Sequence, residues 1–363
     1  MKKLDIYIIK KYLVTFVYTV LILTTIICMV DFTENNDDFI SKDAPYFEIL
    51  FTYYLNYYPY LVNFLSPITI FIATIMVTAR LASHTEIIAM LSSGMSFARI
   101  LVPYFIGASL LSVIIFFMLG WGTPNSNKKR VAFENKYLKN SSKTIADRNI
   151  HLKVGDNLYA YLKSYNADIG QAKGFTLEHI EFTPEGPQLK EKITAKRARW
   201  DEETNKWKLI RYEKRVFIGE KQIITSGGTL DTLIKMTPED FVTEYGKRLT
   251  LTSTELYSYI EELKEKGSTQ VQEFIIEKYE RLFYPLAIFV LTFIGVCVSA
   301  RKSREGIGYQ IAFGFALALI YILFVQTGRQ FAEANVISPI ISVLMPNIIF
   351  VIVGVFMYRR VPK

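Results

Sequence analysis

The chain is poor in the residues and motifs that carry chemistry. Among 363 residues it has two cysteines and three histidines. Cys28 and Cys297 both sit inside apolar runs, which argues against a disulfide and leaves the redox compartment unread. His84, His151 and His179 are scattered with no metal-ligand spacing, so no metal is expected. The one Gly-Lys pair, Gly246-Lys247, lacks the earlier glycine of a phosphate loop, so no ATP-hydrolysing loop is expected on this chain. No Gly-x-Ser-x-Gly elbow is present. Carboxylates of the central region read as solvated strand faces. Internal repeats and low-complexity tracts are missing too. Together these absences disfavour an enzyme and call for no cofactor.

What is abundant is apolar sequence. The chain is 51% hydrophobic with a mean hydropathy of +0.22. Six segments contain no Asp, Glu, Lys or Arg: Tyr12–Val30, Pro59–Ala79, Ile100–Pro124, Leu282–Ala300, Gly306–Gly328 and Val336–Tyr358. Each approaches or exceeds the roughly 20 apolar residues a helix needs to cross a bilayer. Basic residues flank alternate ends: Lys2, Lys3, Lys10 and Lys11; Arg80 and Arg99; Arg301, Lys302 and Arg304; Arg359, Arg360 and Lys363. The connection from Asp31 to Tyr58 has six acids and the single base Lys42. The positive-inside rule therefore predicts both termini in the cytoplasm and the long segment after the third span outside. Most of the net charge of +8 belongs to these flanks and needs no nucleic acid to explain it. The first span is too long for a cleaved signal and no small-x-small site follows it. Tyr53, Tyr54, Tyr57, Tyr58 and Tyr60 are expected to form an interfacial anchoring belt.

Residues from Asn125 to about Tyr279 are enough for one domain with its own core. Strand-like stretches run over Asn157–Tyr165, Gly174–Gly186, Lys192–Trp200 and Trp207–Gly219, with Ile193, Ala195, Arg197 and Arg199 expected on one face. Short strands at this spacing predict an antiparallel sandwich, jelly roll or open curved sheet. Thr252-x-x-Glu255 reads as a capping box before a helix with Leu256, Ile260 and Leu263 on one face, closed by Gly267. A second helix is expected from Thr269-x-x-Gln272 straight into the fourth span.

Between spans two and three lies "SHTEIIAMLSSGMSFARI". Ser83 and Glu86 have N-cap and N3 spacing, Ile87, Ile88, Met90 and Leu91 supply an apolar side, and Gly94 can end the helix, with Ser96 restarting it. Two compatible readings follow. It is a capped interfacial connector, or it is a coupling helix that docks on a separate motor subunit with Glu86 projecting.

That segment, together with "EKYERLFYPLAIFVLTFIGVCVSARKSREGIGYQIAFG" and the order of three spans, outer β domain and three spans, resembles the LptF/LptG permease family. The resemblance implies an α-helical membrane protein with six transmembrane helices (3+3) and an inserted periplasmic antiparallel β jelly-roll domain in the bacterial inner membrane. Residues 1–124 would hold spans one to three with the coupling helix at about 83–94, residues 125–279 the periplasmic domain with its helical connector, and residues 280–363 spans four to six. The implied function is the permease subunit of an ABC transporter that extracts lipopolysaccharide and passes it toward the outer membrane. Implied partners are a cytoplasmic ABC ATPase (LptB-like) dimer, a second LptF/LptG-like permease and periplasmic LptC/LptA-like β-jelly-roll proteins. The implied coupling residues are Glu86, Ser83, Ile87, Met90, Leu91 and Gly94. In that family lipid leaves through a gate formed by spans one and five of opposite partners, beside basic residues that meet the lipid phosphates. Here span one departs from the pattern, with Asp31 and Glu34 at its outer end. Candidates for the phosphates are Arg329, Arg281, Lys278, Lys128, Lys129 and Arg130, each of which also reads as interfacial snorkelling. The alternatives are a non-transporting periplasmic scaffold anchored in the membrane and an ABC permease for another envelope lipid.

Overall fold

The computed structural model describes residues 3–138, 150–166, 169–184, 186–201, 204–219, 221–234, 236–238, 246–268, 270–301 and 306–361. The helix-start signal at Thr269 and the flanking charges Lys2, Lys302, Arg304 and Lys363 lie outside them. The chain divides into two compact units: Met1–Leu138 with Leu249–Thr254 and Ile275–Lys363, and Lys139–Arg248 with Glu255–Phe274.

The first unit is helical. Its elements are α1 (Lys3–Ser41), α2 (Leu55–Ser83), α3 (Glu86–Ser92), α4 (Phe97–Phe117) and α5 (Thr123–Phe133). After the sheet come α6 (Lys247–Thr250), α7 (Ser253–Glu265), most of which belongs to the second unit, α8 (Val271–Ser299), α9 (Ile307–Glu333) and α10 (Pro339–Arg359). Wider helical turns at Glu48–Tyr54 and Met118–Gly122 extend α2 and join α4 to α5. Among the described residues, six helical stretches are long and apolar enough to cross a membrane. Local chemistry marks their ends. Ser96 caps α4 by accepting from the Arg99 amide, and Ser338 followed by Pro339 opens α10.

The helix α2 is the centre of this unit. One side, with Ile70, Ala73, Val77 and Leu81, packs with Ile8, Tyr12 and Phe16 of α1 and Ile100, Tyr104 and Ala108 of α4. The other, with Phe71 and Ile75, packs with Leu291 and Ile294 of α8, Tyr321 of α9 and Phe350 of α10. Some polar side chains inside the bundle are paired across helices and others, such as Thr24, Thr74 and Ser299, bond back to their own helix, because lipid offers them no partner. Tyr12 and Thr292 hydroxyls lie 3.1 Å apart, Thr78 donates to Tyr104 at 2.9 Å, and Tyr321 donates to Asn347 at 3.1 Å. Asn63, Gln310 and Asn347 are all buried, as their cost in lipid predicts. At Gly328 a Cβ would meet the Ser342 carbonyl oxygen of α10 at 2.8 Å, so only glycine lets the two backbones approach there.

The second unit carries a six-stranded antiparallel sheet whose strands follow one another in chain order: β1 (Ile150–Gly155), β2 (Leu158–Asn166), β3 (Gln171–Thr183), β4 (Gly186–Asp201), β5 (Lys206–Ile218) and β6 (Lys221–Thr232). Its core centres on Leu162, Phe175, Ala198, Trp207 and Leu209, and the chain beyond β6 adds Ile234 and Met236. The Trp207 indole donates to the Met236 carbonyl at 2.8 Å. In α7 the predicted face of Leu256, Ile260 and Leu263 is buried, and Gly267 follows at φ +59°.

One feature departs from simple alternation. The ladder of β2 to β6 skips a whole row, Lys163–Gly174–Lys196–Arg211–Gly228, while the register on either side is unchanged. Gly174 and Arg211 in that row have φ of +63° and +54°. Each of these five strands therefore spends one extra residue at the same level, and in β2, β3 and β4 the buried positions step by three: Leu162 to Tyr165, Ala172 to Phe175, Ala195 to Ala198. This crease corrects the expected face of β4. Ile193 and Ala195 are buried, but the next buried residue is Ala198, and Arg197 and Arg199 are exposed. In-register bulges of this kind re-aim side chains without shifting strand pairing.

Candidate functional site

The segment between α2 and α4 holds one short helix. The predicted capping box is not formed. Ser83 is still part of α2, and its hydroxyl donates back to the Arg80 carbonyl at 2.9 Å. The residue that precedes α3 is Thr85, in the left-handed region at φ +61° and without a side-chain cap. The turn from α2 into α3 is too tight for Ser83 to reach the new helix. Gly94 at φ +84° ends the segment as expected, with the Met95 amide bonding back to Met90.

With no cap to serve, the Glu86 carboxylate turns to α1. The Tyr7 hydroxyl lies 3.3 and 3.2 Å from its two oxygens, and Lys11 Nζ stands 3.9 Å away while donating to the same hydroxyl. Tyr7 and Lys11 are one turn apart on α1. Ile87 and Met90 face the bundle core and Leu91 packs beside them. Ile88, grouped by sequence with the apolar side, is instead 53% exposed. The accessible face of α3 thus offers Glu86, partly shielded by Tyr7, and Ile88, with Gly94 at its end. Nearby, Arg99 of α4 pairs with the buried Asp5 of α1 at 2.8 Å.

At the opposite end of α1 is a second cluster. Asp31 accepts from Tyr53 at 3.1 Å and from Tyr54 at 3.0 Å. Tyr57 stacks on Tyr53, and Tyr60 on Tyr57. The Arg130 guanidinium lies 4.9 and 4.5 Å from the Tyr57 and Tyr60 ring centres and its Nε 3.1 Å from Glu134. Of the five tyrosines expected in an anchoring belt, Tyr53 is only 2% exposed and so is buried within the unit, while Tyr54, Tyr57, Tyr58 and Tyr60 stay half-buried. The acid that stands out on span one is therefore satisfied by tyrosine hydroxyls.

The predicted basic residues fall into three environments. Arg130 is buried and paired through Nε with Glu134, and its Nη1 has no hydrogen-bond partner among the described residues. Arg281 is buried between Glu277 at 2.8 Å and the Leu251 carbonyl at 2.7 Å. Arg329 bridges Glu280 and Glu333, both at 2.8 Å, leaving Nη2 buried without a partner among the described residues. Lys128 and Lys129 are exposed, and Lys278 is half-buried against Tyr279. Burial separates the six: Arg130 and Arg281 are inside, Lys128 and Lys129 outside, and Lys278 and Arg329 between. Sequence reasoning missed Tyr7 and Lys11 as partners of Glu86. Their spacing of four was visible, but a contact across 79 positions was not.

Comparison with known proteins bears on the whole chain. The family model described as lipopolysaccharide export system permease LptF/LptG matches residues 6–360. The chain is 20% identical over 300 residues to the lipopolysaccharide export system permease protein LptG of Escherichia coli strain K12, covering 81% of each chain. It is 22% identical over 290 residues to LptG of Haemophilus influenzae, covering 79% of this chain and 78% of that one.

Proposed function

The chain belongs to the lipopolysaccharide export system permease LptF/LptG family, and on that premise we propose that it is the membrane subunit of an ATP-driven exporter of lipopolysaccharide. It extracts the lipid from the inner membrane and delivers it to a β bridge toward the outer membrane, and a separate cytoplasmic ATPase dimer does the hydrolysis. The observation that carries this reading is α3. Ile87 and Met90 root it in the bundle core, while Glu86 and Ile88 stay accessible for a motor subunit. A movement imposed on α3 would reach α1 through Tyr7 and the core through Ile87. Basic flanks at Lys10, Lys11, Arg80, Arg99, Arg359 and Arg360 support a cytoplasmic position for this end and both termini. The β unit is then periplasmic.

Other features support the same assembly. In an apolar 18-residue stretch of each span, 17% of span one and 22% of span five is buried within the chain, against 72% of span two. Such open spans leave faces for a second permease and for lipid. Strand β6 pairs only with β5 among the described residues, so its outer edge is available for strand addition by a jelly-roll partner. Buried donors on Arg130 and Arg329 suit phosphate oxygens, and Arg281, Lys278, Lys128 and Lys129 add positive charge for the lipid head group.

A mild-detergent pull-down of the tagged chain from native membranes tests the reading. An ABC ATPase and a second six-span permease are expected among the bound proteins. Recovery with periplasmic or outer-membrane proteins alone would favour the membrane-anchored scaffold, and mass spectrometry showing a different bound lipid would reassign the cargo. Glu86→Ala is expected to weaken ATPase association about tenfold, the value of one charge-assisted contact, while the bundle stays folded. Unchanged association and unchanged lipid release would count against the coupling role. Tyr7→Phe frees the carboxylate from its internal donor, so ATPase retention at least equal to wild type is expected in the same assay.

A further inference from the structure

Charge is distributed unevenly over the exposed face of the sheet. On one side of the crease, acids and bases are matched: Lys192–Glu178 at 2.8 Å, Lys214–Glu191 at 2.9 Å and Lys190–Glu181 at 3.1 Å. At the crease the matching stops. The skipped row brings Lys163, Lys196 and Arg211 to one level, and the next row adds Lys173 and Arg197. All five are exposed, and none forms an ion pair among the described residues. Lys173 stands directly opposite Arg197, and one turn of the ladder further on Arg199 stands opposite Lys208. Like charges facing each other across a ladder are destabilising. The acids in register with this band, Asp231 opposite Lys208 and Asp201 opposite Lys206, lie at its margin.

The crease itself concentrates the charge. Two consecutive residues of each strand point away from the core there, where alternation would allow one. Gly174 adds to this: Lys163 Cβ lies 2.9 Å from where a Gly174 side chain would begin, and its Cδ 3.6 Å. The Lys163 stem therefore lies over Gly174 of β3.

Resting on the export reading, we propose that this cationic band binds the phosphate groups of a phosphorylated saccharide, the sugar head group of the exported lipid. Bound phosphate relieves the like-charge repulsion, and guanidinium forks match its oxygens in pairs. A protein partner fits the surface poorly. Lysine is depleted and aromatic anchors are enriched at the centre of protein interfaces, whereas Trp200 and Tyr212 of these strands pack into the core.

The test uses the full chain in detergent and three probes: a bisphosphorylated disaccharide without acyl chains, the same disaccharide dephosphorylated, and inorganic phosphate. The bisphosphorylated sugar is expected to bind saturably, and inorganic phosphate at least about tenfold more weakly. The dephosphorylated sugar is expected not to bind. The combined variant Lys196→Gln, Arg197→Gln, Arg211→Gln is expected to lose about tenfold or more in affinity while its thermal midpoint holds or rises, since repulsion is removed. Equal affinity in variant and wild type, no saturable binding, or inorganic phosphate binding as tightly as the sugar would overturn the proposal. So would an acidic protein lost from the pull-down of the variant while no sugar binds. If the ATPase copurifies and the sugar does not bind, this inference alone fails and the permease reading stands.

Discussion

Trp207→Ala is expected to open the β unit, at a cost of about 3–5 kcal/mol. Trp207 is fully buried, is the largest such side chain, and touches Trp200 and Tyr165 at ring distances of 5.3 and 6.3 Å. Truncation removes the ring and leaves a void that a sheet pinned by neighbours on both sides cannot close. It also strands the Met236 carbonyl, which accepts the indole proton in the interior. The measurement is limited proteolysis of the full chain in detergent, with cleavage mapped between residues 150 and 238. Cleavage in the variant should be faster by about a hundredfold, the factor that roughly 3 kcal/mol represents. Trp207→Phe separates the two contributions. It keeps most of the ring and loses only the hydrogen bond, so its cleavage should accelerate about tenfold. A variant as resistant as wild type would show that the unit does not depend on this core.

Arg329→Met is expected to lower stability by about 3 kcal/mol, the penalty for leaving a partly buried ion cluster without its counter-charge. The guanidinium holds Glu280 of α8 and Glu333 of α9. Without it two partly buried carboxylates remain beside one another with no counter-charge. The thermal midpoint in detergent should fall clearly in Arg329→Met. It should recover when Glu280→Gln and Glu333→Gln are added, because a neutral cluster needs no counter-charge. This series also divides the roles of Arg329. If the residue serves only to meet lipid phosphate, Arg329→Met would melt like wild type and lose lipid, and the added glutamines would restore nothing. A fall in midpoint rescued by the glutamines assigns it to holding α8 against α9, with Nη2 the one donor left for a ligand.

How far the sequence could be read differs from element to element. The six spans were visible because uncharged apolar runs of that length have one stable solution in a bilayer. The helix α7 was visible from its own periodicity, and its three predicted inward residues are the three buried ones. Strands β2 to β5 were found from their aromatic and alternating composition. The flanking strands were not. β6, "KQIITSGGTLDT", carries two glycines and few apolar residues that alternate. The face of β4 was misjudged for a different reason. Alternation assumes a regular pleat, and the crease is a property of five strands acting together.

The candidate site shows the same division. Sequence alone determined that α3 exists between two spans, that it ends at Gly94 and that Glu86 stands at its start, since turn chemistry and helix signals act over a few residues. It also determined the membrane class and the family, whose signature is the order of elements. Only the tertiary structure decided what Glu86 touches, because Tyr7, 79 positions away, and Lys11 reach it through helix packing. Only packing decided that Asp31 is satisfied by Tyr53 and Tyr54, that Arg329 is shared between two carboxylates, and that Lys163, Lys196 and Arg211 share one level of a sheet. Local propensities act within a turn or a strand; which charge meets which is set by long-range contacts, and those form only when the whole bundle or sheet has closed.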